Sequence, residues 1–275
     1  LGRRIPLEVR LGACTSPPAG HAEAAVFPLS SWEDIPRAQL GAACSRELDA
    51  TREYLKTLDT TALMAVRDGR VLFSEGPVDT VSIVFSVRKS LLSMMYGKYV
   101  ADGTIGLDRT LADLGIDDLG GLLATEREAR LRDLLAARSG VYHAAANGGD
   151  DLAFAPARGS QAPGSYFLYN NWDFNAAGTA FEKLTGRSIY RTFADDLAAP
   201  LMLEDFDIAR HRRSGDSAKS VHLAYRFFLS TRDMARLGYL MLRQGNWRGQ
   251  QLIPAAWVAQ ITRPVTNSAQ MHPPH

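Results

Sequence analysis

Ser86-Val87-Arg88-Lys89-Ser90-Leu91-Leu92-Ser93-Met94-Met95-Tyr96-Gly97-Lys98-Tyr99-Val100-Ala101 sets a hydroxyl and an amine three residues apart at the head of an apolar run. On a helix that spacing puts both groups on one side, one turn apart. A serine hydroxyl is a weak nucleophile until a neighbour takes its proton. A lysine one turn away can take it if burial or other positive charge lowers its pKa. Asp102-Gly103 is a stop signal, so the pattern predicts a helix from Ser86 to Ala101. Its apolar residues (Val87, Leu91, Leu92, Met94, Met95, Tyr96, Tyr99, Val100) cover most of the circumference. Such a helix lies inside a protein and gives a nucleophile rigid support.

On the N-terminal side, Ala62-Leu63-Met64-Ala65-Val66 and Val71-Leu72-Phe73 flank Arg67-Asp68-Gly69-Arg70, a hairpin signal. A short strand is expected near Val81 to Val84. Trp32 to Leu58 reads as helical, with Leu48, Tyr54, Leu55 and Leu58 as its apolar stripe. Residues 1–30, rich in Ala, Pro and Gly, read as a loose leader. On the C-terminal side, helices are expected over Glu126 to Ala137, Trp172 to Thr185, Thr231 to Gln244 and Pro254 to Ile261. Residues 143–165 read as an exposed loop.

The 31 basic and 30 acidic residues nearly cancel, which leaves no footprint for nucleic acid and no polybasic membrane anchor. No run has the apolar length of a membrane span. Cys14 and Cys44 are too few for a disulfide framework and lack metal-ligand spacing. Leu11-Gly12-Ala13-Cys14 has the form of a lipoprotein cleavage site, although the charged segment before it suits an unstructured leader better. A periplasmic, secreted or lipid-anchored location is favoured over the cytoplasm.

A second element is Tyr169-Asn170-Asn171, preceded by Pro163-Gly164-Ser165-Tyr166-Phe167. A phenol beside positive charge can serve as a general base. Asn171 offers a donor and an acceptor to a substrate amide, or it caps the helix that begins at Trp172. Asp173 stands where an acidic residue suits a first helical turn. His143, next to Tyr142 at a loop start, reads as a surface residue.

With Phe85-Ser86-Val87-Arg88-Lys89-Ser90, Leu131-Arg132-Asp133-Leu134-Leu135-Ala136-Ala137-Arg138-Ser139-Gly140, the Pro163 to Asn171 segment and Ser230-Thr231-Arg232-Asp233-Met234-Ala235-Arg236-Leu237-Gly238, residues 59 to 264 resemble the serine β-lactamase and penicillin-binding family. The branch is that of class C β-lactamases, D-alanyl-D-alanine carboxypeptidases, esterases and 6-aminohexanoate-dimer hydrolases. The resemblance implies an α/β (α+β) fold: an antiparallel sheet flanked by helices plus a mostly helical region, with the site between them. The domains expected are a sheet domain from 31–103 and 225–275 and a helical domain from 104–224. By the resemblance Ser86 is the acylated nucleophile, Lys89 and Tyr169 shuttle its proton, and Asn171 positions the substrate. Asn170 and Tyr142 are further expected substrate-binding residues. The family's third motif, on a late strand that also supplies an oxyanion N–H, finds no match after Ile261. Two prolines exclude His272-Pro273-Pro274-His275 from an ordinary central strand. The last sheet strands are expected to be missing from this chain.

The function expected is therefore a serine hydrolase acting through an acyl-enzyme on a small-molecule ester, amide or peptide, without metal or organic cofactor. The alternatives are a D-alanyl-D-alanine carboxypeptidase or β-lactamase, and a non-catalytic ligand-binding homologue or inactive fragment.

Overall fold

The computed structural model of the chain describes residues 12–14 and 26–267. In chain order the elements are α1 (Ala42–Leu55), β1 (Leu63–Arg67), β2 (Arg70–Glu75), β3 (Ser82–Ile83), α2 (Val87–Ala101), α3 (Ala124–Arg127), α4 (Leu131–Leu135), α5 (Asn171–Thr185), α6 (Ile189–Phe193) and α7 (Ala199–Leu201). There follow β4 (Arg212–Ser214), β5 (Ala224–Arg226), β6 (Phe228–Leu229), α8 (Thr231–Leu242), β7 (Asn246–Trp247), β8 (Gln250–Gln251) and α9 (Ala255–Thr262). Every sheet among the described residues pairs two strands. The residues fall into two units. One holds the described residues up to Ser82 with Met202–Phe206 and Leu229–Leu240, and the other holds Ile83–Leu201, Asp207–Phe228 and the described residues from Met241 onward.

In the first unit, β1 and β2 form the expected hairpin. Asp68 and Gly69 both have positive φ, 52° and 85°, as a two-residue hairpin turn requires. A side chain at position 69 would also strike the Val26 carbonyl. The helix expected from Trp32 starts only at Ala42. Glu33 and Ile35 instead exchange backbone hydrogen bonds with Val71 (2.8 and 2.9 Å). Pro36 disfavours helical backbone in the residue before it. Leu48, Leu72 and Phe73 form the core together with Cys14 and Cys44.

Those two cysteines form a single disulfide, a pairing the sequence did not announce. One bond needs no framework, and while it stands the Cys14 sulfur is not free to carry a lipid. Most of the expected leader lies outside the described residues. In α8 the buried Arg236 pairs with Glu204 (2.7 Å), and Asp233 accepts the Glu204 and Asp205 N–H groups (2.7 and 3.1 Å), so this helix holds Met202–Phe206.

In the second unit, α2 is the buried helix the sequence predicts, with Leu91, Leu92, Met95 and Tyr96 almost wholly enclosed. Tyr96 donates its hydroxyl to the Ala177 carbonyl of α5 at 2.7 Å, and its ring meets Phe181 at 5.3 Å. Against α9, Gly97 leaves room for the Trp257 ring, whose Nε1–H donates to the Ser93 carbonyl at 2.8 Å. The single helix expected over Glu126 to Ala137 is two short ones, α3 and α4. Between them the chain is drawn out to pair with residues 107–112: Leu111 N–H donates to Ala129 O (2.8 Å) and Leu131 N–H to Arg109 O (3.1 Å). The carboxylate of Asp133 then accepts the Arg130 N–H and restarts the helix.

Candidate active site

The chain enters α2 through Phe85, whose φ of 37° is uncommon for a residue with a side chain. That turn leaves Ser86 exposed as the N-cap of α2. Lys89, one turn on, is buried along its stem. Tyr169 precedes α5, where its carbonyl accepts the Asp151 N–H at 2.8 Å. The three tips meet. Lys89 Nζ donates to the Tyr169 hydroxyl and lies 3.4 Å from Ser86 Oγ, and the Tyr169 hydroxyl donates to Ser86 Oγ at 2.7 Å. The ammonium also lies over the Tyr169 and Phe174 rings, 3.8 and 4.9 Å from their centres.

Burial pushes the Lys89 amine down to about 7. The neighbouring Arg88 charge and then Arg226 act in the same sense, while Asp150 and Asp151 oppose them. At neutral pH the amine is therefore poised to accept a proton. Ser86, Lys89 and Tyr169 open onto a cavity of about 480 Å³. Met94, Leu135, Phe174, Met241 and Ile261 make its apolar wall.

Asn170, Asn171 and Tyr142 do not line this cavity. Asn170 is the N-cap of α5: its Oδ1 accepts the Asp173 N–H at 2.7 Å and its amide donates to the Leu168 carbonyl. Asn171 is buried, donates to the Gly148 carbonyl at 3.0 Å and accepts from Arg88 at 3.4 Å. Tyr142 is 9% exposed, and burial pushes its phenol up to about 12. The sequence assigns no role to Arg88 or Asn175. Arg88 points into the protein and donates to Asn175 Oδ1 at 2.8 Å. The signal for this was present: amides at 171 and 175 share one face of a largely apolar helix. His143 is held rather than free, with Nε2 2.9 Å from the Leu119 carbonyl. Asp173 is fully enclosed and receives the Ser139 hydroxyl at 2.5 Å. Burial pushes that carboxyl up to about 7.

Several solved structures share the fold. A Bacillus anthracis protein named as a candidate 6-aminohexanoate-dimer hydrolase matches with a TM-score of 0.59 at 17% identity, over 80% of this chain and 63% of its own. A Bacteroides dorei protein named as a candidate β-lactamase matches with a TM-score of 0.59 at 19% identity, over 82% and 75%. A penicillin-binding protein homologue from Caulobacter crescentus gives 0.58 at 15% identity, over 89% and 80%. This chain thus spans under two thirds of the length of the first of these proteins. No curated protein sequence matches significantly. The expected β-lactamase/transpeptidase-like fold is the fold observed, with its antiparallel strands in short pairs. The Beta-lactamase family model matches residues 49–274, a span that includes Ser86, Lys89, Tyr169 and the wall of the cavity, and the chain belongs to that family.

Proposed function

We propose that the protein is a serine hydrolase that acts through an acyl-enzyme on small esters or amides. The observation that carries this reading is the contact of three tips from distant parts of the chain, with the amine among them pushed down to about 7. In the reaction Ser86 Oγ attacks the substrate carbonyl carbon. Its proton passes to Lys89, directly or through Tyr169. The Ser86 N–H, at the positive end of α2, faces the developing oxyanion. Collapse of the tetrahedral adduct breaks the bond to the leaving group, which takes a proton from Tyr169. Lys89 returns its proton to Tyr169; water, deprotonated by the same pair, then attacks the acyl carbon, and Ser86 Oγ leaves with that proton. The apolar wall of Met94, Leu135, Phe174 and Met241 favours a short apolar acyl group over a charged one.

A fluorophosphonate probe with peptide mass spectrometry tests this. A covalent adduct on Ser86 is expected, together with turnover of p-nitrophenyl esters. A folded sample that takes no label and hydrolyses no ester would refute the hydrolase reading and leave ligand binding without chemistry. A penicillin adduct in place of ester turnover would move the substrate class to β-lactams.

A further inference from the structure

Arg88 sits between the nucleophile's turn and the lysine, yet its side chain leaves the cavity for the interior, where it is 1% exposed. No carboxylate among the described residues pairs with it. Its partners are neutral: Asn175 Oδ1 at 2.8 Å, Asn171 Oδ1 at 3.4 Å, and the face of Tyr225, 4.4 Å from the guanidinium carbon. Burial pushes the Tyr225 phenol up to about 12, so it carries no negative charge near neutral pH. Tyr190, also near Arg88, is pushed up to about 12 in the same way. A buried cation ordinarily recruits a counter-charge. Here amides and a ring hold it, and its charge adds to burial in lowering the Lys89 amine, against the opposing pull of Asp150 and Asp151.

We propose that Arg88 is a positioning residue for acyl transfer: a guanidinium clamped by Asn171 and Asn175 with no carboxylate paired to it among the described residues, whose charge adds to burial in holding the adjoining Lys89 amine without its proton. The inference rests on the hydrolase reading for its purpose, but the electrostatic claim stands apart from it. The other charged and titratable groups near Lys89 are Tyr169, Asp150 and Asp151 from the segment before α5 and Arg226 from β5. The two aspartates act against Arg88, and Arg226 acts with it. From α8 and α9 the cavity receives only Met241, Ile261 and Thr262, which carry no charge.

Asn175→Asp tests the idea with hardly a change of shape. It keeps an acceptor for Arg88 and supplies the missing counter-charge, at the loss of one hydrogen bond from the Asn175 amide to Asn147 Oδ1. Arg88→Met removes the charge by a second route and fills the space with a flexible apolar chain. The primary readout is the titration of Lys89 itself. Lysine is labelled with carbon-13 at Cε, and the Lys89 signal is identified by its loss in Lys89→Met. In the wild type the signal is expected to titrate at about 7. In both variants the midpoint moves upward, and fluorophosphonate labelling of Ser86 at pH 7 slows at least about fivefold, as expected from a midpoint displaced by about one pH unit. The labelling rates then converge at high pH. A Lys89 midpoint unchanged in Asn175→Asp or Arg88→Met overturns the inference. So does a loss of labelling that is equal at every pH, since that is the mark of a purely structural part. A wild type that shows the low midpoint but takes no label refutes the hydrolase reading and leaves the Arg88 effect standing.

Discussion

Lys89 must be without its proton before it can take one from Ser86, which gives its replacement a definite signature. Lys89→Ala is expected to slow acylation of Ser86 by about 10²- to 10⁴-fold. Its melting temperature should equal or exceed that of the wild type, because a half-enclosed amine is costly to keep charged. Stopped-time labelling and a thermal melt on the same sample check both halves. Wild-type-like labelling would remove Lys89 from the mechanism. The pH profile follows from the same group. With the amine pushed down to about 7, the neutral form grows as pH rises, so the labelling rate climbs between pH 6 and 8 and then levels. A rate that falls over that range would contradict the assignment. The spacing of Ser86, Lys89 and Tyr169 was legible in the sequence because it is fixed by one helical turn and one short motif. The work of Asn171 was not. An asparagine at a helix start reads equally as cap or ligand, and only the packing of residues 147–148 against α5 shows its amide spent on backbone carbonyls.

The helices that carry the site meet through contacts that fix the sign of a mutation. Gly97 lies inside α2, where alanine would ordinarily favour a helix by about 1 kcal/mol. A Cβ there would sit 2.4 Å from Trp257 Cδ1 on α9. Gly97→Ala is therefore expected to destabilise, by about 1–3 kcal/mol, the usual cost of overpacking. A chemical-denaturation midpoint that rises instead would show that α9 yields without cost. Asp173 gives a second test. Its carboxyl is pushed up to about 7 when folded, against 3.8 for the free group, so over that interval the native state holds a proton the unfolded chain has lost. Its contribution to stability is full below about 4 and is lost as pH rises through 7. Asp173→Asn, which stays neutral, should flatten the fall in melting temperature between pH 5 and 8. At this scale the sequence was a good guide to α2, α5, α8 and α9, whose periodicity and caps are local. It failed over residues 126–137, where the pairing of Ala129 and Leu131 with residues 109–111 overrides helical propensity. No local pattern announces a partner supplied from elsewhere in the chain.

Across the whole chain, the disulfide and the cavity belong to different units. Cys14 is tied to Cys44 across 30 residues, and its backbone carbonyl accepts from Arg67 at 2.6 Å while the Ala13 N–H donates to Glu47. The bond thus holds residues 12–14 against α1, in the core that also contains Leu48 and Phe73. Closing a loop of that length restricts the unfolded chain and is worth about 3–4 kcal/mol. Such bonds persist in oxidising compartments, which fits a secreted or periplasmic protein and competes directly with lipid attachment at Cys14. Thiol titration of the native protein should find no free cysteine before reduction. Reduction, or the Cys14→Ser/Cys44→Ser double substitution, should lower the stability of the first unit by that amount. Ser86, Lys89 and Tyr169 all stand in the second unit, so fluorophosphonate labelling of Ser86 at 25 °C should persist in the reduced protein while its melting temperature falls. Labelling lost in step with reduction, at a temperature where circular dichroism shows the chain still folded, would mean that the bond governs the site itself, and the separation of the two roles would have to be abandoned.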